Sequence, residues 1–148
     1  MTHLPDDFRE FLDALQRRQV RFLVAGAFAL AAHGHPRYTK DLDVWVELDS
    51  LNAERIVAAL DDFGMGSLGL TPADFLTENT VIQLGYEPNR IDLLTSLDGV
   101  TFDEAYPQRV MLALAGYVAP VLDRETLKTN KRASGRLRDL ADLEELGE

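Results

Sequence analysis

Apolar residues recur along this chain in two rhythms, one helical and one extended. Between residues 6 and 19, Phe8, Phe11, Leu12 and Leu15 stand at i, i+3, i+4 and i+7, which predicts an amphipathic helix starting just after Pro5. Residues 20–25 form a short apolar, β-branched run that predicts a strand, broken by Gly26. The alanine-rich stretch 27–32 favours helix and ends at Gly34 and Pro36. Leu42, Val44, Val46 and Leu48 then alternate with Asp41, Asp43, Trp45 and Glu47, the pattern of a strand with one apolar and one polar face. A helix over 50–63 carries Ile56, Leu60 and Phe63 on one stripe and stops at Gly64. Thr71-Pro72-Ala73-Asp74 resembles a capping box and should start a short helix bearing Phe75 and Leu76.

The second half of the chain reads as two strand pairs and two helices. Residues 81–86 and 90–95 are strand-like, with Glu87-Pro88-Asn89 as the turn of a hairpin. Residues 109–114 and 117–122 form another pair around Gly116. Asp123 is placed to cap a helix over 124–133, Gly135 interrupts it, and residues 137–146 form the last helix. There is no linker, repeat or low-complexity stretch. The expectation is one α+β domain over residues 1–148, a mixed β-sheet flanked by helices.

Composition adds few exclusions, but useful ones. The 148 residues include no cysteine, so disulfides, thiolate metal sites and cysteine nucleophiles are out. No basic or apolar leader opens the chain, and no apolar run approaches the roughly 20 residues of a membrane span. The expectation is a soluble, cytoplasmic protein with no membrane partner. A formal net charge of −10 repels nucleic acid in general, yet Arg124, Lys128, Lys131, Arg132, Arg136 and Arg138 supply six of the fifteen lysines and arginines within one short stretch. That cationic stretch is either a solvated face or a partner to an acidic site.

Asp41-Leu42-Asp43 supplies the acids. Residues i and i+2 of a strand share a face, roughly 7 Å apart at the backbone. Two such carboxylates can converge on one hard cation or bridge two, and they repel one another without a cation. An exposed strand with two solvated acids has the same sequence, so context decides. Upstream, a strand ends at Gly26 and a helix begins, where glycine lets backbone N–H groups approach a phosphate. Asp92 stands in the otherwise apolar run Ile91-Asp92-Leu93-Leu94, and is either paired, metal-bound or on a strand edge facing solvent.

Together, Val24-Ala25-Gly26-Ala27, Asp41-Leu42-Asp43 and Asp92 resemble the signature of the DNA polymerase β-type nucleotidyltransferase superfamily. Its small bacterial stand-alone branch, related to the abortive-infection AbiEii-like nucleotidyltransferases, is resembled more closely. The residues that carry this run from Val24 to Asp43, from Gln83 to Asp92 and from Lys131 to Asp142. The resemblance implies a nucleotidyltransferase fold and Mg²⁺ or Mn²⁺ held by Asp41, Asp43 and Asp92, the catalytic acids. It implies that Gly26 and Ala27 cradle the phosphates of an NTP. Arg37, Thr39 and Lys40 would contact nucleotide, and Lys131 and Arg136 would face the triphosphate. The expected reaction moves NMP from an NTP to a hydroxyl on an RNA end, a protein or a small molecule. Kinship with toxins adds a toxin-like role and a cognate protein partner. One departure is Ala27, where the superfamily has glycine or serine; a methyl cannot bond a phosphate, although the backbone N–H remains. The rival expectation is a non-catalytic nucleotide-binding or interaction module of a toxin–antitoxin-like pair.

Other residues leave alternatives open. His33 and His35 suggest a metal site but lack a clear third ligand, which favours a structural or capping role. Asp139 is expected to orient Lys131 or Arg136 rather than bind metal. Trp45 shares the strand face of the acids, where it either stacks on a base or packs.

Overall fold

The computed structural model describes residues 4–36, 40–85 and 89–147. Helix α1 (Asp6–Arg17) leads through a left-handed Gln19 (φ 57°) into β1 (Phe22–Ala25), so the helix ends two residues before the expected limit at residue 19. Helix α2 (Gly26–Ala32) follows directly, then β2 (Asp41–Val46) and α3 (Ser50–Asp62). The Thr71 capping box forms, with the Thr71 backbone N–H donating to Asp74 Oδ2 at 2.7 Å, but it starts a 3-10 turn (Pro72–Phe75) instead of an α-helix. The rest is β3 (Val81–Leu84), β4 (Arg90–Leu94), α4 (Phe102–Ala105), β5 (Val110–Leu114), β6 (Tyr117–Val121), α5 (Arg124–Ser134) and α6 (Leu137–Glu145). The expected turn residues Glu87 and Pro88 lie outside the described residues, but the two strands they join pair antiparallel as a hairpin requires.

The six strands form one mixed sheet in the order β3-β4-β2-β1-β6-β5. β1 runs antiparallel to β2, whereas β2–β4 and β1–β6 are parallel. This order puts the acid strands β2 and β4 side by side, although α3 and β3 separate them in the chain. Leu42, Val44 and Val46 are fully buried and join the core with Phe8, Phe11, Leu12 and Ile56. Phe8 meets Phe28 of α2 edge-on at 5.6 Å and Phe11 meets Phe63, just past α3, at 5.3 Å, so α1 packs against both α2 and the end of α3.

A single buried amide fixes the geometry where β1 begins and β2 ends. Asn52, in the first turn of α3, accepts from the Arg21 N–H at 2.7 Å and donates to the carbonyls of Arg21 and Glu47. Asp49 caps that helix by accepting from the Asn52 N–H. The alternation on β2 has one exception with a clear cause. Trp45 lies on the face of the acids but is buried, because α4, which the sequence pattern did not announce, sets Phe102 edge-on against it at 5.1 Å. Trp45 therefore packs.

Candidate active site

The acids are arranged by strand register. In the parallel β2–β4 pair, Asp41 stands opposite Arg90 and Asp43 opposite Asp92. Side chains at i and i+2 share a face. Four charged residues thus make a two-by-two array on one side of the sheet, one arginine among three carboxylates. Arg90 spans it diagonally. Its guanidinium donates to Asp41 Oδ2 at 2.9 Å and to the two oxygens of Asp92 at 3.1 and 3.2 Å.

The neighbouring strand brings in Gly26. Ala25 is the register partner of Asp43, and Gly26 follows it with φ +64°. A Cβ on Gly26 would lie 2.1 Å from Asp43 Oδ2. Only glycine fits, both for the left-handed backbone and for the space the carboxylate fills. The start of α2 is thereby pressed against Asp43. Ala27, the next residue, is buried.

Asp43 is the electrostatic centre of the array. Burial first, then the negative charges of Asp92 and Asp41, push its carboxyl up to about 6, while Lys131 and Arg90 pull it partly back. Lys131 itself is buried in α5 and its ammonium is already paired, with Asp142 at 2.9 Å and Asp139 at 3.3 Å. Asp139 also accepts from Ser134 and, at 2.8 Å, from Arg136. Burial pushes Asp139 up, but these hydrogen bonds and the Lys131 charge outweigh it and hold the carboxyl below its usual range. Asp139 thus orients both cations, as its spacing suggested. The hydrogen bond to Asp139, followed by its charge and more weakly that of Asp43, makes Arg136 harder to deprotonate. The α5–α6 junction therefore stands within electrostatic reach of the acid strands.

The sequence-derived candidates divide accordingly. Asp41, Asp43, Asp92 and Gly26 converge; Lys131 and Arg136 stand beside them as neighbouring charges, held by acids of their own. Lys40, exposed just before β2, lies at the edge, and Arg37 and Thr39 fall outside the described residues. The histidines do not converge on a metal. His33 Nε2 lies 2.8 Å from the Leu122 carbonyl, tying α2 to the end of β6, and His35 faces Glu145 at 3.7 Å. The cationic stretch is largely spoken for: Lys128 pairs with Glu125, and Arg124 donates to the Leu146 carbonyl. Arg90 is the site residue that sequence reasoning missed. Its signal was present, since a cation two residues before Asp92 on a strand must share that acid's face.

The donor set suits a hard divalent cation in its chemistry: three carboxylates on adjacent strands, with burial and then mutual repulsion raising Asp43. Among the described residues, however, no three acids or histidines stand close enough to ligate one ion as they are. The guanidinium of Arg90 holds two of the three.

The chain matches no protein-family model, and no curated protein resembles it significantly. Its structure is nevertheless similar to the crystal structure of a "putative nucleotidyltransferase" from Thermotoga maritima, with a TM-score of 0.60 and 15% identity over 97% of this chain and 94% of that one. The fold is that of a nucleotidyltransferase. At this identity the likeness concerns the path of the backbone.

Proposed function

We propose that this protein is a metal-dependent nucleotidyltransferase that moves a nucleoside monophosphate from an NTP to a hydroxyl and releases pyrophosphate. The observation that carries the reading is the convergence of Asp43, Asp92, Asp41 and Gly26 on one face of a nucleotidyltransferase sheet. Asp41, Asp43 and Asp92 would hold Mg²⁺ or Mn²⁺. The ion, when bound, neutralises phosphate charge and makes a coordinated hydroxyl more acidic. The chain's own residues then do the positioning. Gly26 and Ala27 offer backbone N–H groups to the phosphates, Asp92 accepts the acceptor hydroxyl's proton, and Arg136 and Lys40 supply flanking positive charge. The acceptor we favour is an RNA 3′ end, in keeping with the resemblance to AbiEii-like toxins, and a cognate antitoxin-like protein would be the partner.

A second reading is a nucleotide-binding module without turnover. Two observations favour it: the buried Ala27, which has no hydroxyl for a phosphate, and the saturation of Lys131 by Asp139 and Asp142. The deciding experiment incubates the protein with each α-labelled NTP, Mg²⁺ or Mn²⁺, and total RNA, alongside an Asp41→Asn/Asp43→Asn control. Label on RNA or on the protein from the wild type alone supports the enzyme and identifies the acceptor. Metal-dependent NTP binding without transfer, lost in the double variant, supports the module. Absence of both leaves the fold without this function.

A further inference from the structure

The sheet ends at β5, and that edge is open. Leu114 pairs with Tyr117 across the turn Ala115-Gly116, whose φ values of 47° and 95° are both positive. Such a two-residue turn is closed by a hydrogen-bonded pair, and bonded and non-bonded pairs alternate along an antiparallel ladder. Val110, Leu112 and Leu114 therefore aim their backbone groups at β6, while Met111 and Ala113 aim theirs outward. Among the described residues nothing bonds those outward groups. The side chains there are uncovered as well. Met111 is 54% exposed, and Val118, which pairs with Ala113 and so shares its face, is 52% exposed. Folded proteins blunt an open edge with charge, proline or a bulge. β5 is Val-Met-Leu-Ala-Leu in unbroken register with β6 and carries none of the three.

Charge decides which strand fits there. The chain is 27% charged with a net charge of −10, so like charge opposes the meeting of two copies over most of their surface. From Ala105 to Leu122, however, Arg109 is the only charged residue. It is folded back on Tyr106, with its guanidinium 4.1 Å from the ring centre and donating to the Tyr106 carbonyl. A second β5 is as neutral as the first and, laid antiparallel, presents the same alternation of bonding groups. We propose that β5 is a self-pairing edge: two copies of the chain join antiparallel through β5 about a two-fold axis at Leu112, making one continuous sheet. In this register Met111 and Ala113 exchange hydrogen bonds with Ala113 and Met111 of the second copy, large side chain against small, and Leu112 faces its own counterpart. No other two-fold register engages both Met111 and Ala113 of each copy within β5. The pairing closes both β5 edges, so the assembly stops at two copies. β6 and β1 separate this seam from the acid strands, so it stands or falls independently of the reaction proposed above.

The absence of native cysteine makes the register testable in the full chain. Facing Cα atoms of a non-hydrogen-bonded antiparallel pair lie about 4.5 Å apart, within reach of a disulfide. Under mild oxidation, read by non-reducing electrophoresis, Leu112→Cys should cross-link to its own copy about tenfold faster than Met111→Cys, Ala113→Cys or, on the opposite edge, Val81→Cys. Sedimentation velocity over a concentration series reads the mass without cross-linking. Wild type and Val81→Lys should both associate to a dimer. Met111→Lys puts a charge into the neutral seam from both copies, and Ala113→Pro removes an outward N–H but no bond to β6. Each should weaken the dimer by about tenfold or more while circular dichroism stays that of wild type. Should Ala113→Pro unfold, Met111→Lys and the cysteine series decide. A dimer that Met111→Lys leaves intact, or cross-linking as fast at Val81→Cys as at Leu112→Cys, puts the contact elsewhere and overturns the proposal. Cross-linking that peaks at position 111 or 113 overturns the axis at Leu112. A chain that stays monomeric throughout overturns self-pairing and leaves the edge to a strand of another protein.

Discussion

At the scale of single residues, Asp43 makes a prediction of definite sign. Its carboxyl titrates near 6 in the folded chain, above the ordinary value of 3.8, so between these limits the folded state binds the extra proton. Stability must then fall as pH rises through about 6, because ionising Asp43 costs more in the fold than in the unfolded chain. Asp43→Asn removes that cost. Without metal, the variant should be more stable than wild type at about pH 8 by on the order of 1–2 kcal/mol, a figure reduced because the side chain is partly exposed, and the gain should shrink toward zero at about pH 4. Urea melts at the two pH values check this, and equal slopes with pH in the two proteins would contradict it. Gly26 yields a companion prediction. Gly26→Ala must accept a left-handed alanine, at about 1–2 kcal/mol, and must also push Asp43 Oδ2 out of the space its Cβ takes. Metal–NTP binding should therefore fall by more than the loss in stability accounts for, as calorimetry on the folded variant would show. The three acids and Gly26 could be read from the sequence because each breaks a local rule: a carboxylate within an apolar run, a glycine between strand and helix. Arg90 was legible only in part: its spacing sets it on the face of Asp92, but an arginine at a strand start breaks no local rule, and only the β2–β4 register reveals that it also reaches Asp41.

At the scale of elements, the α5–α6 unit is held by a buried ionic knot rather than by apolar packing alone. Lys131 sits between Asp139 and Asp142, and all three side chains are nearly inaccessible. Such a knot adds little net stability over an apolar substitute, yet removing one member strands the others. Lys131→Met should destabilise the protein by about 3–5 kcal/mol, whereas Asp123→Ala, which removes only the α5 N-cap bond to the Thr126 N–H, should cost about 1 kcal/mol. Chemical denaturation of both variants measures the contrast, and similar losses would mean that the knot is already solvated. The same elements explain what periodicity could and could not reveal. Both helices and the Asp123 cap follow from local chemistry, as does the antiparallel β5–β6 pair around Gly116. Helix α4 has four residues, too few to show a 3.6-residue period, and its Phe102 is what decided that Trp45 packs. The parallel pairing of β2 with β4 lies beyond any local signal, since a long connection separates them.

At the scale of the whole molecule, a net charge of −10 and a site of three clustered acids give two separable responses to ions. The diffuse charge repels itself, and any electrolyte screens it, with a Debye length falling from about 10 Å at 0.1 M to about 3 Å at 1 M. Sodium chloride should therefore raise the melting temperature of wild type and Asp43→Asn alike. A bound ion works otherwise, adding stability as the logarithm of its concentration over its dissociation constant, about 2.7 kcal/mol at a hundredfold excess. Because Arg90 already neutralises part of the array, Mg²⁺ alone should do little more than sodium chloride of matched ionic strength. Mg²⁺ with ATP should raise the wild-type melting temperature well beyond the matched salt, and that increment should be missing from Asp43→Asn. Differential scanning calorimetry over the four conditions separates the terms. An increment from Mg²⁺–ATP that survives in Asp43→Asn would locate nucleotide binding away from the acid array, and one equal to that of the matched salt would reduce the array to a solvated acidic face.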